Sequence, residues 1–313
     1  MRHGPSELAV VLSGSASQSE IGMTNINSIH PAPPPSSAAE AAAYLSQIES
    51  LSRRHVSACE GGRMAWRSFG EGKPVVLLHG GHGSWLHWVR NIAALSERHS
   101  VWLPDMPGYG DSDAATSADL GAVVAPTIAG LDSFFGVDGV IDLVGFSFGG
   151  LVAAQIAATR GKVRRLALLG PAGHGSLRRP RGKLLQWRGA AEAHDEAALG
   201  EIMRHNLAMH MLHDPARIDA LALQVHIDSC IRTRFRSKGL ARSGGLYAAL
   251  GQTDAEALVV WGEHDVTADP EAVLRVLKDA CPRVRTHIVP GAGHWVQYDG
   301  ADEINRLLVP WLA

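Results

Sequence analysis

The hexapeptide Gly145-Phe146-Ser147-Phe148-Gly149-Gly150 carries the clearest chemical signal in the chain. It follows the apolar run Val140-Ile141-Asp142-Leu143-Val144 and precedes Leu151-Val152-Ala153-Ala154-Gln155-Ile156-Ala157-Ala158. The first reads as a buried strand and the second as an Ala-rich helix, which puts Ser147 on the turn between them. A G-x-S-x-G turn of this kind lifts the serine hydroxyl above the sheet edge and sets the next backbone N–H beside it. The turn is so sharp that the residues two before and two after the serine crowd each other. Both are glycine here, Gly145 and Gly149.

A serine hydroxyl is a weak nucleophile at its own pKa, so it needs a base, and the base needs an orienting carboxylate. Asp265, in Gly262-Glu263-His264-Asp265, follows the apolar run Ala257-Leu258-Val259-Val260-Trp261. His294, in Gly291-Ala292-Gly293-His294-Trp295, follows the run Val284 to Val289. Both runs read as strands, and the reacting groups of open parallel sheets gather at the carboxyl ends of the strands. The expected assignment is Ser147 as nucleophile, His294 as base and Asp265 as its carboxylate. Glu263 and His264 are close rivals for the last two roles, whereas Asp269, before Pro270, is better explained as a helix N-cap.

Acyl transfer also develops an oxyanion that needs two donors. One is the Phe148 N–H. The other is expected from His79-Gly80-Gly81-His82-Gly83, after the apolar run Val75 to Leu78, where glycines let the backbone approach closely. Gly81 is the expected donor, with His82 next. Phe146, Trp295 and His82 are the expected substrate-pocket residues. The histidines His205, His210 and His213 raise a metal site, with His210 and His213 one helical turn apart. No Cys or carboxylate spacing supports one, so no metal is expected.

These residues need elements to hold them. Residues 1 to 36 are rich in Ser, Ala, Pro and Gly and read as a disordered tail, within which Met23 is an alternative start. A serine-capped helix from Ser37 to Ser52 leads into a hairpin between His55 and Phe69. Strand and helix signals then alternate, with a helix expected over Trp85 to Ser96, until Gly170-Pro171. Residues 176 to 252 carry helical patterns and no convincing strand, and read as an inserted helical cap. Alternation resumes from 253 to 313. The domains expected are thus the tail, a core in two parts (37–175 and 253–313) and the cap between them. Such alternation predicts an α/β architecture with a largely parallel sheet.

The chain has 313 residues, 46% hydrophobic and 19% charged, ordinary for a protein that buries a sizeable core. A formal charge of −2 gives no general attraction for nucleic acid or anionic membrane, and neither is an expected partner. The expected partner is a small-molecule substrate, with a homo-oligomer left open. Cys59, Cys230 and Cys281 are scattered and suit a reducing cytoplasm. No apolar run approaches the roughly 20 residues that span a bilayer, and Leu8 to Leu12 is too short for a secretory signal.

Together His79-Gly80-Gly81, Asp105-Met106-Pro107-Gly108-Tyr109-Gly110-Asp111-Ser112, the Ser147 turn, Gly262-Glu263-His264-Asp265 and Gly293-His294 resemble the α/β-hydrolase fold superfamily. Its nucleophile, acid and base come in this order along the chain. The resemblance covers about residues 60 to 313. It implies an eight-stranded, mostly parallel sheet with helices on both faces, a cap after the sixth strand, and no cofactor.

Within it, Gly293-His294-Trp295-Val296-Gln297-Tyr298 is similar to the meta-cleavage-product hydrolases, which split carbon–carbon bonds in ring-fission products of aromatic compounds. That family carries a tryptophan directly after the catalytic histidine and a glutamine two further on, matched by Trp295 and Gln297. It usually has asparagine where this chain has Phe146, and Gly-Pro-Gly where this chain has His82-Gly83-Ser84. A cap arginine holds the substrate carboxylate there, and Arg232, Arg234 and Arg236 are candidates for that role. The first expectation is a cofactor-independent serine hydrolase of a small, largely apolar ester or lactone. The alternatives are a carbon–carbon hydrolase and, from another class, a slow-turnover ligand receptor on the same fold.

Overall fold

The computed structural model describes residues 34–313; the expectations for residues 1–33, including Met23 and the Leu8 to Leu12 run, lie outside the described residues. Helix α1 (Ala38–Ser50) starts where the Ser37 side chain accepts the Glu40 N–H, an N-cap. Strands β1 (Arg53–Cys59) and β2 (Gly62–Phe69) form the expected hairpin, with Gly61 and Gly62 at positive φ in its turn. There follow β3 (Lys73–Leu78), α2 (Ile92–Ser96), β4 (His99–Pro104), α3 (Gly121–Phe135), β5 (Ile141–Phe146), α4 (Phe148–Thr159) and β6 (Val163–Leu169). Four helices come next, α5 (Arg188–Glu192), α6 (Glu196–His210), α7 (Ala220–Ile231) and α8 (Leu246–Gln252). The chain closes with β7 (Glu256–Gly262), α9 (Pro270–Ala280), β8 (Arg285–Val289), α10 (Val296–Asp299) and α11 (Ala301–Leu312).

The eight strands lie in the order β1-β2-β4-β3-β5-β6-β7-β8. β2 is antiparallel to both neighbours, and every pair from β4–β3 to β7–β8 is parallel. Strand β5 is buried along its whole length, as the continuous apolar run requires of a central strand covered on both faces. The carboxyl ends of β3, β5, β7 and β8 lie at one edge of the sheet, where the expected site residues follow them. No helix among the described residues is long and apolar enough to cross a membrane.

One expectation about the helices is corrected. The segment Trp85 to Ser96 is a 3-10 turn (Trp85–Trp88) and then the separate helix α2. The cause is tertiary: the His87 carbonyl accepts from Trp295 Nε1 at 3.0 Å, and the Asn91 N–H bonds to Trp88 O instead. An α-helix would need that carbonyl for residue 91. Helix α8 buries Leu246, Ala249 and Leu250 in the same apolar cluster as Val152, Ala153 and Ile156 of α4, so it belongs to the layer covering the sheet.

The apolar stripes of α6 and α7 join the core beneath them. Leu207, Ala208, Leu221, Ala222 and Val225 share one cluster with Trp85, Trp88, Trp295 and Val296. Met211 and Leu212 lie in that shared core, while Met203 packs separately with Leu199 and Cys230.

A buried charge knot fixes the start of the 3-10 turn. Arg67, only 5% exposed at its side chain, pairs with Glu49 at 2.9 Å, with Asp105 at 3.1 Å and with Asp111. Asp105 in turn accepts the N–H groups of Trp85 and Asp111. Removing one member of such a buried network would leave an uncompensated charge, at a cost of about 3–5 kcal/mol.

Candidate active site

Ser147 sits between the end of β5 and the first turn of α4 with φ 53 and ψ −116, outside the usual regions for a residue with a Cβ. Such strain costs of order 1–3 kcal/mol and persists only when the surroundings over-determine it. They do so here. A Cβ on Gly145 would lie 2.4 Å from Gly149 O and 2.7 Å from Gly150 Cα. One on Gly149 would lie 2.2 Å from His79 O and 2.5 Å from Leu78 O. The requirement for glycine at 149 therefore comes from β3 and not from the turn alone.

Ser147, His294 and Asp265 meet although 118 and 29 residues separate them along the chain. His294 Nε2 lies 2.9 Å from Ser147 Oγ, and His294 Nδ1 lies 2.8 Å from Asp265 Oδ2. The other carboxylate oxygen of Asp265 accepts from the Thr267 N–H at 2.7 Å and the Thr267 hydroxyl at 2.8 Å. Burial by itself raises the Asp265 carboxyl, but the adjacent His294 and the Thr267 bonds outweigh it and hold it below the usual carboxylate range. The rivals are turned elsewhere: Glu263 accepts the Gly291 N–H, and His264 stacks on His213 at 3.6 Å. Gly170, at φ +49, closes the pair from below, where a Cβ would lie 3.0 Å from Asp265 Oδ2 and 3.2 Å from His294 Nδ1.

The loop after β3 is held from both sides. His79 Nε2 accepts the Met106 N–H at 3.0 Å, so its Nδ1–H donates to Gly80 O at 2.8 Å. The Gly80 N–H donates to His87 Nδ1 at 3.2 Å. Both peptide groups of Gly80 are thus engaged. The Gly81 and Phe148 N–H groups have no acceptor among the described residues. The two residues are neighbours, with a Cβ built on Gly81 reaching 3.8 Å from Phe148 Cβ. His82 follows in the left-handed region at φ 54.

Of the expected pocket residues, Phe146 lies between His87 and His294, with ring centroids 5.4 Å and 5.0 Å away. Trp295 is fully buried, stacked on Tyr298 at 4.2 Å, and is not part of the pocket wall. Its indole and the Gln297 amide are both directed at the His87 carbonyl, at 3.0 and 3.5 Å. The Trp295 side chain thus bonds to His87, a residue the sequence reading missed.

The inserted segment covers this edge. His210 at the end of α6 meets His294 edge-on, with centroids 5.5 Å apart. Burial, with the neighbouring His294, pushes the His210 imidazole down to about 3. From α7, His226 is pushed down to about 4 by burial, and the Cys230 thiol up to about 12, which makes the thiol inert as a nucleophile. The cap histidines part company: His205 bonds to Lys183 O, His210 meets His294, and His213 stacks on His264.

The arginine candidates are corrected. The chain from 232 to 237 alternates, with Arg232, Arg234 and Arg236 exposed and Thr233, Phe235 and Ser237 buried. Arg232 pairs with Asp111 at 2.7 Å, and Arg234 is tied to the Ser112 carbonyl. Phe235 instead stacks on Phe148, and Ser237 Oγ lies where a Cβ on Gly81 would collide at 2.4 Å. A period of two turns every arginine to solvent.

The sequence of residues 73–301 matches a family described as alpha/beta hydrolase fold. The chain belongs to the α/β-hydrolase fold family. Among curated relatives of this hydrolase is a 2-hydroxy-6-oxo-6-phenylhexa-2,4-dienoate hydrolase of Burkholderia cepacia, 31% identical, covering 78% of this chain and 89% of the relative. Another is a 2-hydroxy-6-oxononadienedioate/2-hydroxy-6-oxononatrienedioate hydrolase of Comamonas testosteroni, 27% identical over 78% of this chain and 89% of that one. Among solved structures, a meta-cleavage product hydrolase of Pseudomonas fluorescens IP01 superposes with a TM-score of 0.62. It is 23% identical and covers 82% of this chain and 96% of its own. The enol-lactonase of Burkholderia xenovorans LB400 gives a TM-score of 0.65 at 22% identity, with coverages of 82% and 99%. At these identities the structures show the shared fold.

Proposed function

We propose that this α/β-hydrolase is a serine hydrolase that cleaves a carbon–carbon bond next to a ketone, in a substrate of the 2-hydroxy-6-oxo-dienoate class. The hydrogen-bonded series Ser147–His294–Asp265 supports hydrolysis through a serine. The dienoate hydrolases among the relatives support the choice of bond.

In this reading the dienol is first ketonised, with His294 carrying the proton. Ser147 Oγ then adds to the ketone carbon as His294 takes its proton, and the carbonyl oxygen becomes an oxyanion facing the Phe148 and Gly81 N–H groups. The tetrahedral centre collapses. The electron pair of the breaking carbon–carbon bond passes into the leaving fragment, where the 2-oxo group accepts it as an enolate. His294 returns a proton to that fragment. Water, deprotonated by His294, then attacks the acyl-Ser147 carbonyl and releases the carboxylic acid, so one water is consumed overall. Asp265 orients the imidazole and stabilises its cation throughout.

The substrate carboxylate needs a cation, and Arg178 replaces the exposed arginines in that role. It is half-buried, has no ion pair among the described residues, and interacts electrostatically with Asp265, His174 and His210.

A second reading, hydrolysis of a small ester or lactone, is favoured by Phe146, whose ring makes the floor beside Ser147 apolar. The deciding measurement is kcat/KM for 2-hydroxy-6-oxo-6-phenylhexa-2,4-dienoate against that for p-nitrophenyl butanoate, with Ser147→Ala as control. Preference for the dienoate is expected. Preference for the ester would replace the carbon–carbon reading with the second one, and activity surviving in Ser147→Ala would overturn both.

A further inference from the structure

His87 is 1% exposed and held at three points. Its N–H donates to Ser84 O, its carbonyl accepts from Trp295 Nε1, and its Nδ1 accepts from the Gly80 N–H. The last contact decides the tautomer. A ring nitrogen that accepts a backbone N–H carries no proton, so in the neutral ring the proton is on Nε2. Among the described residues that Nε2 has no hydrogen-bond partner, yet it is not one of their fully sealed, unsatisfied polar atoms. The small accessible area of this buried ring therefore includes a donor. A polar hydrogen held this way and left unmatched is costly unless something accepts it.

The ring lies beside the serine site. The rings of His87 and His294 both contact Phe146, at 5.4 and 5.0 Å, and Gly80, which His87 holds, would place a Cβ 3.2 Å from Ser147 Cβ. The His87 ring also interacts with His82, His226 and His294. Burial first, and then these neighbouring histidines, keep the imidazole neutral well below its ordinary range. A neutral ring can donate to an oxygen without adding a charge to the pocket, as neutral histidine electrophiles do.

We propose that the Nε2–H of His87 is a substrate-positioning donor that binds a second oxygen of the substrate, a ketone or enol oxygen a few bonds beyond the carbonyl attacked by Ser147. This deepens the proposed function and rests on it for the natural substrate, since a 2-hydroxy-6-oxo-dienoate carries such an oxygen. It also selects against plain alkyl esters.

The test uses two esters, so a failed carbon–carbon assay leaves it intact. p-Nitrophenyl pentanoate and p-nitrophenyl 4-oxopentanoate differ only by a ketone at C4. After correction for their rates with hydroxide, the wild-type protein is expected to favour the oxo ester by about tenfold in kcat/KM, the worth of one good hydrogen bond. His87→Phe is expected to lower both rates, because Gly80 loses its support, and beyond that common loss to abolish the preference for the oxo ester. His87→Leu carries the same expectation if the phenylalanine variant does not fold. Absence of the preference in wild type, its survival in either variant, or equal loss on both esters would overturn the proposal, the last marking a purely structural histidine. In wild-type protein labelled with 15N-histidine, one imidazole should remain in the neutral Nε2–H form from pH 8 to 5 and shift on adding 4-oxopentanoate. No such shift would also overturn it.

Discussion

The indole N–H of Trp295 donates to the backbone carbonyl of His87 at 3.0 Å, so the residue directly after the site histidine anchors the turn that holds the loop beside the nucleophile. Gln297 is directed at the same oxygen at 3.5 Å, and His87 passes the constraint to Gly80 through its ring. The helical segment after β3 is thereby tied to the loop after β8, with which it shares one apolar cluster.

Trp295→Phe keeps a ring against Tyr298 and removes the donor. It is expected to cost about 1–2 kcal/mol in urea unfolding, since a buried carbonyl is left with one poor partner. kcat should fall with it. Because both residues act on one loop, Trp295→Phe and His87→Phe should be non-additive in a double-mutant cycle on kcat/KM. Additive losses would mean that Trp295 contributes by packing alone.

Asp265→Asn is expected to lower kcat by about 10⁴-fold with the fold intact, because an amide beside Nδ1 favours the wrong imidazole tautomer. Thr267→Val removes a charge-assisted hydroxyl bond to Asp265 Oδ1 at 2.8 Å while the Thr267 N–H remains. Its expected loss is about tenfold in kcat with little change in KM. Steady-state kinetics on a p-nitrophenyl ester measures both.

Gly170→Ala should separate activity from stability. The new Cβ would stand 3.0 Å from Asp265 Oδ2, and the backbone there has φ +49. About 1 kcal/mol of stability is expected to be lost from the backbone conformation. The larger effect should be on kcat, because the Asp265–His294 pair must move. A variant with unchanged kcat would show that the pair tolerates the displacement.

Acid should destabilise the fold well above the carboxylate range. His226 is buried and its folded pKa is lowered from 6.5 to about 4. Between those values the unfolded chain binds the proton and the folded chain does not. Stability is therefore complete above 6.5 and falls as pH drops through this window, by about 1.4 kcal/mol per pH unit for one such group. Urea unfolding at pH 7 and pH 5 should show the loss, and His226→Phe should reduce its slope. An unchanged slope would mean that His226 is protonated in the folded state.

Much of this protein was legible before its structure. The serine turn, the glycines around it and the two late strands announce themselves locally, because a sharp turn excludes side chains and a covered strand must be apolar along its length. The same local logic misled at Trp85 to Ser96, where good helix periodicity lost to a carbonyl captured by Trp295. It also misled at Arg232, Arg234 and Arg236, because an extended run hides alternate residues and its phase depends on Phe235 finding Phe148.

By itself the sequence determined the sheet, the position of Ser147 at its edge and the candidates Asp265 and His294. These follow from residue types within a few positions of one another. Only the tertiary structure decided what surrounds them: His87 with its Nδ1 on the Gly80 N–H, Thr267 bonded to Asp265, Gly170 against the Asp265–His294 pair, His210 beside His294. Those choices depend on side chains far apart in the chain competing for the same few buried donors and acceptors. Pattern and propensity carry no information about that competition.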